Sequence, residues 1–215
     1  GGGSTTVAPA AAFTMSGDLA LRGRAFTTQS TSGTWSGNGL LNIAIDFSPL
    51  LTPAPFTNSG TLTVTGNPRV SNTSAGIPGG SFTNSGLLRK DGAGGALAFE
   101  NNGNPLTVTN TGTIDVRTGS VTVDATGGTI SFSTPGTITL RGTGVADTFN
   151  VTGNLALAST SVINTELASA ASGQFGKINV TGSVTLAGAL NRSYVNSYTP
   201  APGDSLTVLT YGSRS

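Results

Sequence analysis

A seven-residue motif returns at a constant interval along the chain, and this spacing restricts the possible folds more than any other feature. The motif has Asn in its third place and Gly in its fifth, and it occurs at 56–62, 82–88 and 108–114. Its asparagines, at positions 58, 84 and 110, are therefore equally spaced, with a 26-residue period. A weaker copy follows at 134–138, and a second motif at 149–158 returns at 178–187. Such self-similarity indicates stacked repeats.

Within the repeats, apolar and polar residues alternate with a period of two, which is the pattern of a strand. Leu62 and Val64, for example, alternate with threonines. Helical periodicity is weak throughout, and 163–171 is the nearest candidate. A repeat of about 24 to 29 residues with about three short strands has the size of one β-helix coil, whereas a propeller blade needs about 40 residues. The sequence predicts an all-β fold, a right-handed parallel β-helix (β-solenoid) of roughly eight coils.

The constant period places equivalent residues of successive coils above one another. Three sets are expected to stack: a corner ladder of side-chain amides at Asn58, Asn84 and Asn110, turn glycines at Gly60, Gly86 and Gly112, and a core ladder of Leu62, Leu88 and Ile114. The amides can bond to one another as in cross-β structures, and we expect a positive φ at the glycines. The alternative interpretation is that each Asn-Gly segment is an ordinary hairpin turn.

The register has one awkward residue, Lys90. Alignment by the period places it in an inward row with Val64 and Val116. An unpaired ammonium is costly to bury. We therefore expect the strand to end early in this coil, with 91–95 bulging outward.

The periodicity also suggests a division of the chain. Residues 1–12 are predicted to be a flexible or linker segment, and 13–215 the β-helix. Within it, 13–51 has poorer periodicity and contains the only tryptophan, so it is interpreted as divergent coils or a cap. Residues 52–215 are predicted to form the regular coils.

The composition gives little basis for catalysis. Cys and His are both absent, which removes thiolate chemistry, the commonest general base and the commonest metal ligand. The net charge of +1 gives no reason to expect nucleic-acid binding, and no apolar run is long enough for membrane insertion. We predict a protein that is not an enzyme and that has no cofactor and no metal site.

The acidic residues are scattered and fit no motif of a pectate lyase or a polygalacturonase. Asp115 and Asp124 could approach each other across neighbouring strands, but solvated positions on the outer face are the preferred interpretation. The period also places Arg89 beside Asp115 and Asp91 beside Arg117. We expect both to be exposed ion pairs between coils, worth about 0–1 kcal/mol each.

Several of these segments resemble known proteins. The run at 82–92, followed by 109–116, resembles the repeats of large bacterial cell-surface β-helix proteins. The run at 176–190, with the later stretch at 198–209, is similar to the closing coils of autotransporter passenger domains. The resemblance covers roughly residues 56–210, and its motifs are low in information. It implies export, a surface rod and often adhesion, and it carries over no catalytic residue.

These observations favour a structural or adhesive module at the bacterial cell surface or in the extracellular space, as part of a filament, surface layer or larger adhesin. An open coil end would favour self-association or continuation into further repeats. The alternative is a domain that binds or degrades polysaccharide, with a surface glycan as partner. Ice binding is disfavoured because charges and a leucine interrupt the threonine rows that contain Thr61 and Thr63.

Overall fold

The computed structural model describes residues 3–44, 54–73, 79–92, 94–128, 130–142 and 147–214. Within these ranges the chain forms 25 β-strands and a single 3-10 turn at Thr126–Gly128. The strands in chain order are β1 (Gly3–Val7), β2 (Thr14–Met15), β3 (Leu19–Arg22), β4 (Arg24–Thr28), β5 (Gly33–Trp35), β6 (Leu40–Ala44), β7 (Pro55–Asn58), β8 (Thr61–Val64), β9 (Arg69–Ser71), β10 (Gly80–Asn84), β11 (Leu87–Lys90), β12 (Ala96–Glu100), β13 (Leu106–Asn110), β14 (Thr113–Val116), β15 (Ser120–Asp124), β16 (Ile130–Ser133), β17 (Thr137–Leu140), β18 (Thr148–Thr152), β19 (Leu155–Ala156), β20 (Val162–Leu167), β21 (Lys177–Val180), β22 (Ser183–Thr185), β23 (Ala189–Tyr194), β24 (Leu209–Thr210) and β25 (Ser213–Arg214).

The strands form four parallel sheets, and successive strands of the chain enter different sheets. Sheet A contains β1, β4, β7, β10, β13 and β16; sheet B contains β2, β5, β8, β11, β14, β17, β20 and β23; sheet C contains β3, β6, β9, β12, β15, β18, β21 and β24; sheet D contains β19, β22 and β25. The eight layers of sheets B and C confirm the predicted β-solenoid with roughly eight coils. About seven full turns separate the first layer from the last.

The coils vary more in length than the sequence repeats indicate. Thr14 lies opposite Thr34 in sheet B, which makes a 20-residue turn. Asn179 lies opposite Thr210 in sheet C, which makes a 31-residue turn. The strands stay in register, so the loops at the corners absorb the difference. This variation explains why the first two coils show no clear sequence period.

The amino-terminal part of the chain belongs to the stack. Residues 3–7, which the sequence analysis placed in a linker, form β1 and pair with β4. The strands from β2 to β6 continue sheets A, B and C as ordinary coils rather than as a separate cap. Residues 45–51 of that segment lie outside the described residues. The strand β20 occupies most of 163–171, the stretch with the nearest approach to helical periodicity.

The core is a column of inward-facing side chains, one layer per coil. Most strands show strict alternation of buried and partly exposed residues, as in β12 and β15. In sheet A, Phe26, Phe56 and Phe82 stack with ring centroids 5.4 and 5.2 Å apart. Each such ring contributes about 1.5–3 kcal/mol by leaving water. The column fixes the register of all the sheets, because a one-residue slip would turn a whole row outward.

Candidate functional site

The three predicted asparagines stack at the end of sheet A, where the chain turns towards sheet B. Nδ2 of Asn58 donates to Oδ1 of Asn84 at 2.7 Å, and Nδ2 of Asn84 donates to Oδ1 of Asn110 at 2.7 Å. Asn110 ends this run by donating to the hydroxyl of Thr134 at 3.1 Å. Each amide also donates to a backbone carbonyl of the next coil, that of Leu87 in the case of Asn58. All three residues are buried, with no more than 1% exposed, so this ladder is an internal feature of the core.

The turn glycines do not have the positive φ that the sequence analysis expected. None of Gly60, Gly86 and Gly112 has a positive φ. Their constraint is instead the close approach of successive coils. A Cβ on Gly86 would overlap the carbonyl oxygen of Gly60, and a Cβ on Gly112 would overlap that of Gly86. Glycine is needed here because backbone stacks directly on backbone.

The predicted core ladder lies in sheet B. Leu88 pairs in register with Leu62 on one side and with Ile114 on the other. All three side chains are buried. The row continues through Ile138 and Ile163 in the following coils.

Two further amide ladders lie on the outer faces, and the sequence analysis did not identify them. In sheet C, Asn179 donates to Asn150 at 2.8 Å and accepts from the hydroxyl of Thr210 at 3.0 Å. In sheet B, Asn191 donates to Asn164 at 3.0 Å. The 29-residue repeat of the second motif already placed Asn150 and Asn179 at equivalent positions, so that period was the available signal.

Asp115 is the centre of an ionic cluster on the outer face of sheet B. Its carboxylate is 3.2 Å from Nε of Arg89, 2.8 Å from Nε of Arg117 and 3.1 Å from Nε of Arg141. Arg141 also pairs with Glu166. Burial alone would raise the pKa of Asp115, but hydrogen bonds and charge from Arg117 and Arg141 outweigh burial and hold that pKa below its usual value.

The predicted ion pairs are therefore only half right. Arg89 does pair with Asp115, but the carboxylate is 2% exposed and not on a solvated surface. The expected pair of Asp91 with Arg117 does not form, since Arg117 turns to Asp115 and Asp91 accepts from the backbone of Gly92. Asp124 accepts from Thr126 and takes no part in this cluster.

Lys90 contradicts the expectation that its strand ends early. It is the last residue of β11, in register with Val64 and Val116, and its side chain is fully buried. Nζ donates to the carbonyl oxygen of Gly94 at 3.2 Å. Gly94, which lies in the segment expected to bulge outward, supplies this acceptor. Residue 93 of that segment lies outside the described residues. Burial lowers the pKa of Lys90, and the charge of Asp91 opposes that shift.

Lys90→Met is expected to stabilise the protein by about 1–3 kcal/mol at neutral pH, because an apolar side chain of similar length removes the cost of a buried ammonium. The native pKa is depressed, so the wild type gains stability as pH rises from that value towards 10.5, the ordinary value. The difference in unfolding free energy between the wild type and Lys90→Met should then narrow. Denaturant titrations at several pH values measure this difference. Lys177→Met, at a partly exposed lysine, is the control. A destabilised Lys90→Met at neutral pH would contradict the prediction.

A second buried charge, Asp147, lies just before β18. Its side chain is fully buried, and neither carboxylate oxygen has a hydrogen-bond partner among the described residues. Burial, which is the main cause, and the carboxylates of Glu166, Asp115 and Asp91 raise the pKa of Asp147 to about 7. The backbone of Gly119 opposes this shift only in part.

Two of the concave regions in the described part of the chain adjoin features of chemical interest and are candidates for a binding site. A polar cleft of about 350 Å³ lies beside the ionic cluster and is lined by Asp91, Arg117, Thr118, Arg141 and Glu166. An apolar cavity of about 250 Å³ opens at the last coil, where Leu186, Leu190 and Leu209 are among the lining residues. The described part of the chain contains no group of three acidic side chains able to hold a metal ion. It also contains no helix long and apolar enough to cross a membrane.

Comparisons with family models, with curated proteins and with solved structures find no match to this chain.

Proposed function

We propose that this chain is a structural or adhesive segment of an extracellular, bacterial cell-surface β-solenoid rod. The observation that carries the proposal is the unbroken stack of coils, in which core rows and amide ladders run from coil to coil. A structure of this kind holds its two ends apart at a fixed distance, because each coil contacts only its neighbours along a stiff axis. A non-catalytic role of this kind needs no cluster of reactive side chains.

The carboxy-terminal coil supports a role in assembly. All six residues of β23 are exposed, although Leu190 lies opposite the buried Ile163 in the inward row. Leu190 is 58% exposed, and Tyr194, on the same side of the strand, is 46% exposed. Arg192 lies between these two residues in the same row. An unpaired edge strand that exposes large apolar side chains is a template for another strand. We therefore propose that this coil stacks on further coils or on a second copy of the chain.

Leu190→Lys is expected to weaken self-association by at least about tenfold, since a charged side chain would stand in an apolar, strand-paired contact. The substitution leaves the fold intact because Leu190 is already exposed. Sedimentation velocity across a concentration series measures the association. Thr122→Lys, on the outer flank of sheet C, introduces the same charge away from the coil end and is the control. A wild type that stays strictly monomeric at high concentration would count against assembly through this coil.

The surface location needs an experiment of its own. Immunogold labelling and negative-stain microscopy of native material should show the protein on cells, in filaments or in a surface layer. Isolated monomers without any surface association would contradict the structural role.

A second candidate function is the binding of a surface glycan. The polar cleft favours it, because charged and hydrogen-bonding groups from Asp91, Arg117 and Glu166 face one open concave region. A glycan array with the folded protein, together with a lyase assay on acidic polysaccharides, tests this alternative. Failure of both assays would remove it.

A further inference from the structure

The outer face of sheet A carries a row of hydroxyl side chains that crosses all six strands. The row is in register through every strand pair of the sheet and consists of Thr6, Thr27, Thr57, Thr83, Thr109 and Ser133. Two residues earlier on each strand, a second row has Ser81 and Thr107 at its centre and is interrupted by Ala25 and Pro55. Neither row contains a charged residue. The face is therefore an uncharged surface with one continuous row of hydroxyl groups and a second, shorter one beside it.

This array differs from the rows considered in the sequence analysis. Those rows lie in sheet B, where Leu87 pairs with Thr61 and Arg89 pairs with both Thr63 and Asp115. They are interrupted as expected. Sheet B is thus disfavoured as an ice-binding face, whereas in sheet A the residue that follows each inward aromatic or valine belongs to a separate, uninterrupted row.

A stack of aromatic side chains lies beneath part of this face. The rings of Phe26, Phe56 and Phe82 deviate from parallel by only 11° and 10°. Each ring immediately precedes a threonine of the row, so the stack lies directly beneath three consecutive members of that row.

The hydroxyls of this row are also free to bind an external partner. Those of Thr27, Thr57, Thr83 and Thr109 make no hydrogen bond to other described residues, and all four side chains are partly exposed. The outer faces of sheets B and C differ, because their polar groups pair with one another in the amide ladders and the ionic cluster. Unpaired hydroxyls on sheet A are instead available to order water.

The spacing of the array, together with its free hydroxyls and lack of charge, favours ordered water as the partner. Hydroxyls of one row are about 4.8 Å apart across the strands, and the two rows are about 6.7 Å apart along them. These two distances are close to the two oxygen repeats on a prism face of hexagonal ice. Water held by the hydroxyls and ordered around the methyl groups would therefore occupy positions of that lattice. We propose that the outer face of sheet A is an ice-binding surface.

A regular face of this kind binds a crystal through many weak contacts in register, so a bulky side chain at its centre should lift the whole face from the lattice. The folded wild type is expected to show thermal hysteresis and to inhibit ice recrystallisation. Thr83→Tyr, at the centre of the row, should lose both activities. Thr122→Tyr, which places the same side chain on the outer face of sheet C, should keep them. Circular dichroism and thermal unfolding establish that all three proteins are folded.

A second substitution, Thr83→Lys, guards against a tyrosine-specific effect and should also lose both activities. The proposal is overturned if the folded wild type has no effect on ice, or if the Thr83 variants match the Thr122 control. Binding to powdered chitin or cellulose without any effect on ice would also overturn it, because the face would then recognise a different ordered solid.

Discussion

Asn84→Ala is expected to lower the free energy of unfolding by about 3–5 kcal/mol at neutral pH. Asn84 is the middle member of the buried ladder, so its removal breaks the bond from Asn58 and the bond to Asn110, each 2.7 Å long. The bond to the carbonyl oxygen of Thr113 is lost as well. Each buried polar atom left without a partner costs about 1–3 kcal/mol, and the cavity left by the amide adds to that cost.

The appropriate control is Asn164→Ala. Asn164 also accepts an amide hydrogen bond from the next coil, but that ladder lies on the outer face, where water can replace the lost partner. We expect Asn164→Ala to lower the free energy of unfolding by about 1 kcal/mol or less. Urea unfolding followed by circular dichroism measures the unfolding free energies of both variants. Equal losses for the two variants would show that burial does not set the strength of the ladder.

The buried ladder could be predicted because it depends only on the period. The 26-residue spacing was constant over three coils, so Asn58, Asn84 and Asn110 had to coincide in any stacked-coil fold. The hydrogen bonds then follow from the geometry of a primary amide, which has two donors and one acceptor oxygen. The same period also placed Leu62, Leu88 and Ile114 in one core ladder.

The conformation of the turn glycines could not be obtained in this way. A glycine is compatible both with a positive φ and with a close approach of backbones, and the sequence does not distinguish the two. Only the position of the neighbouring coil shows that a Cβ on Gly86 would meet the carbonyl oxygen of Gly60.

Lys90 and the sheet A face could be predicted only in part. The register placed Lys90 correctly in an inward row, but the carbonyl oxygen of Gly94 that accepts its hydrogen bond depends on the path of a corner loop. The row through Thr57, Thr83 and Thr109 was present in the period, but its significance depends on the absence of internal hydrogen-bond partners, which is a property of the packed sheet.

Asp147 was not predicted because it belongs to no repeat motif. It lies next to Thr148, which pairs with Ser120 in one direction and with Lys177 in the other. Asp147 therefore stacks between Gly119 and Gly176, which have no side chains. The residue types at these three stacked positions therefore give no indication that a carboxylate is buried there.

Asp147→Asn is expected to stabilise the protein by up to about 4 kcal/mol above neutral pH. The value follows from a rise in the pKa of Asp147 from 3.8 to about 7, with about 1.4 kcal/mol for each tenfold change in the proton equilibrium. The unfolded chain ionises this carboxyl near its ordinary pKa, whereas the native state holds the proton until the pH reaches about 7. The wild type therefore loses stability from this group as pH rises between those two values. The amide of the variant cannot ionise, so the variant does not lose stability from this group as the pH rises.

The pH dependence distinguishes this explanation from a simple improvement in packing. Near pH 4 the carboxyl is protonated in the native state and about half protonated in the unfolded chain, whose ordinary pKa is 3.8, so the unfolding free energies of the two proteins should then agree within about 1 kcal/mol. Urea titrations near pH 4, 6 and 8 should show that the difference in unfolding free energy between Asp147→Asn and the wild type increases as the pH rises. Asp124→Asn, which removes a partly exposed carboxylate on sheet C, is the matched control for the exchange of a carboxylate for an amide. A gap that stays the same at all three pH values would mean that the buried charge of Asp147 is not its cause, because a packing effect does not depend on the ionisation of one carboxyl.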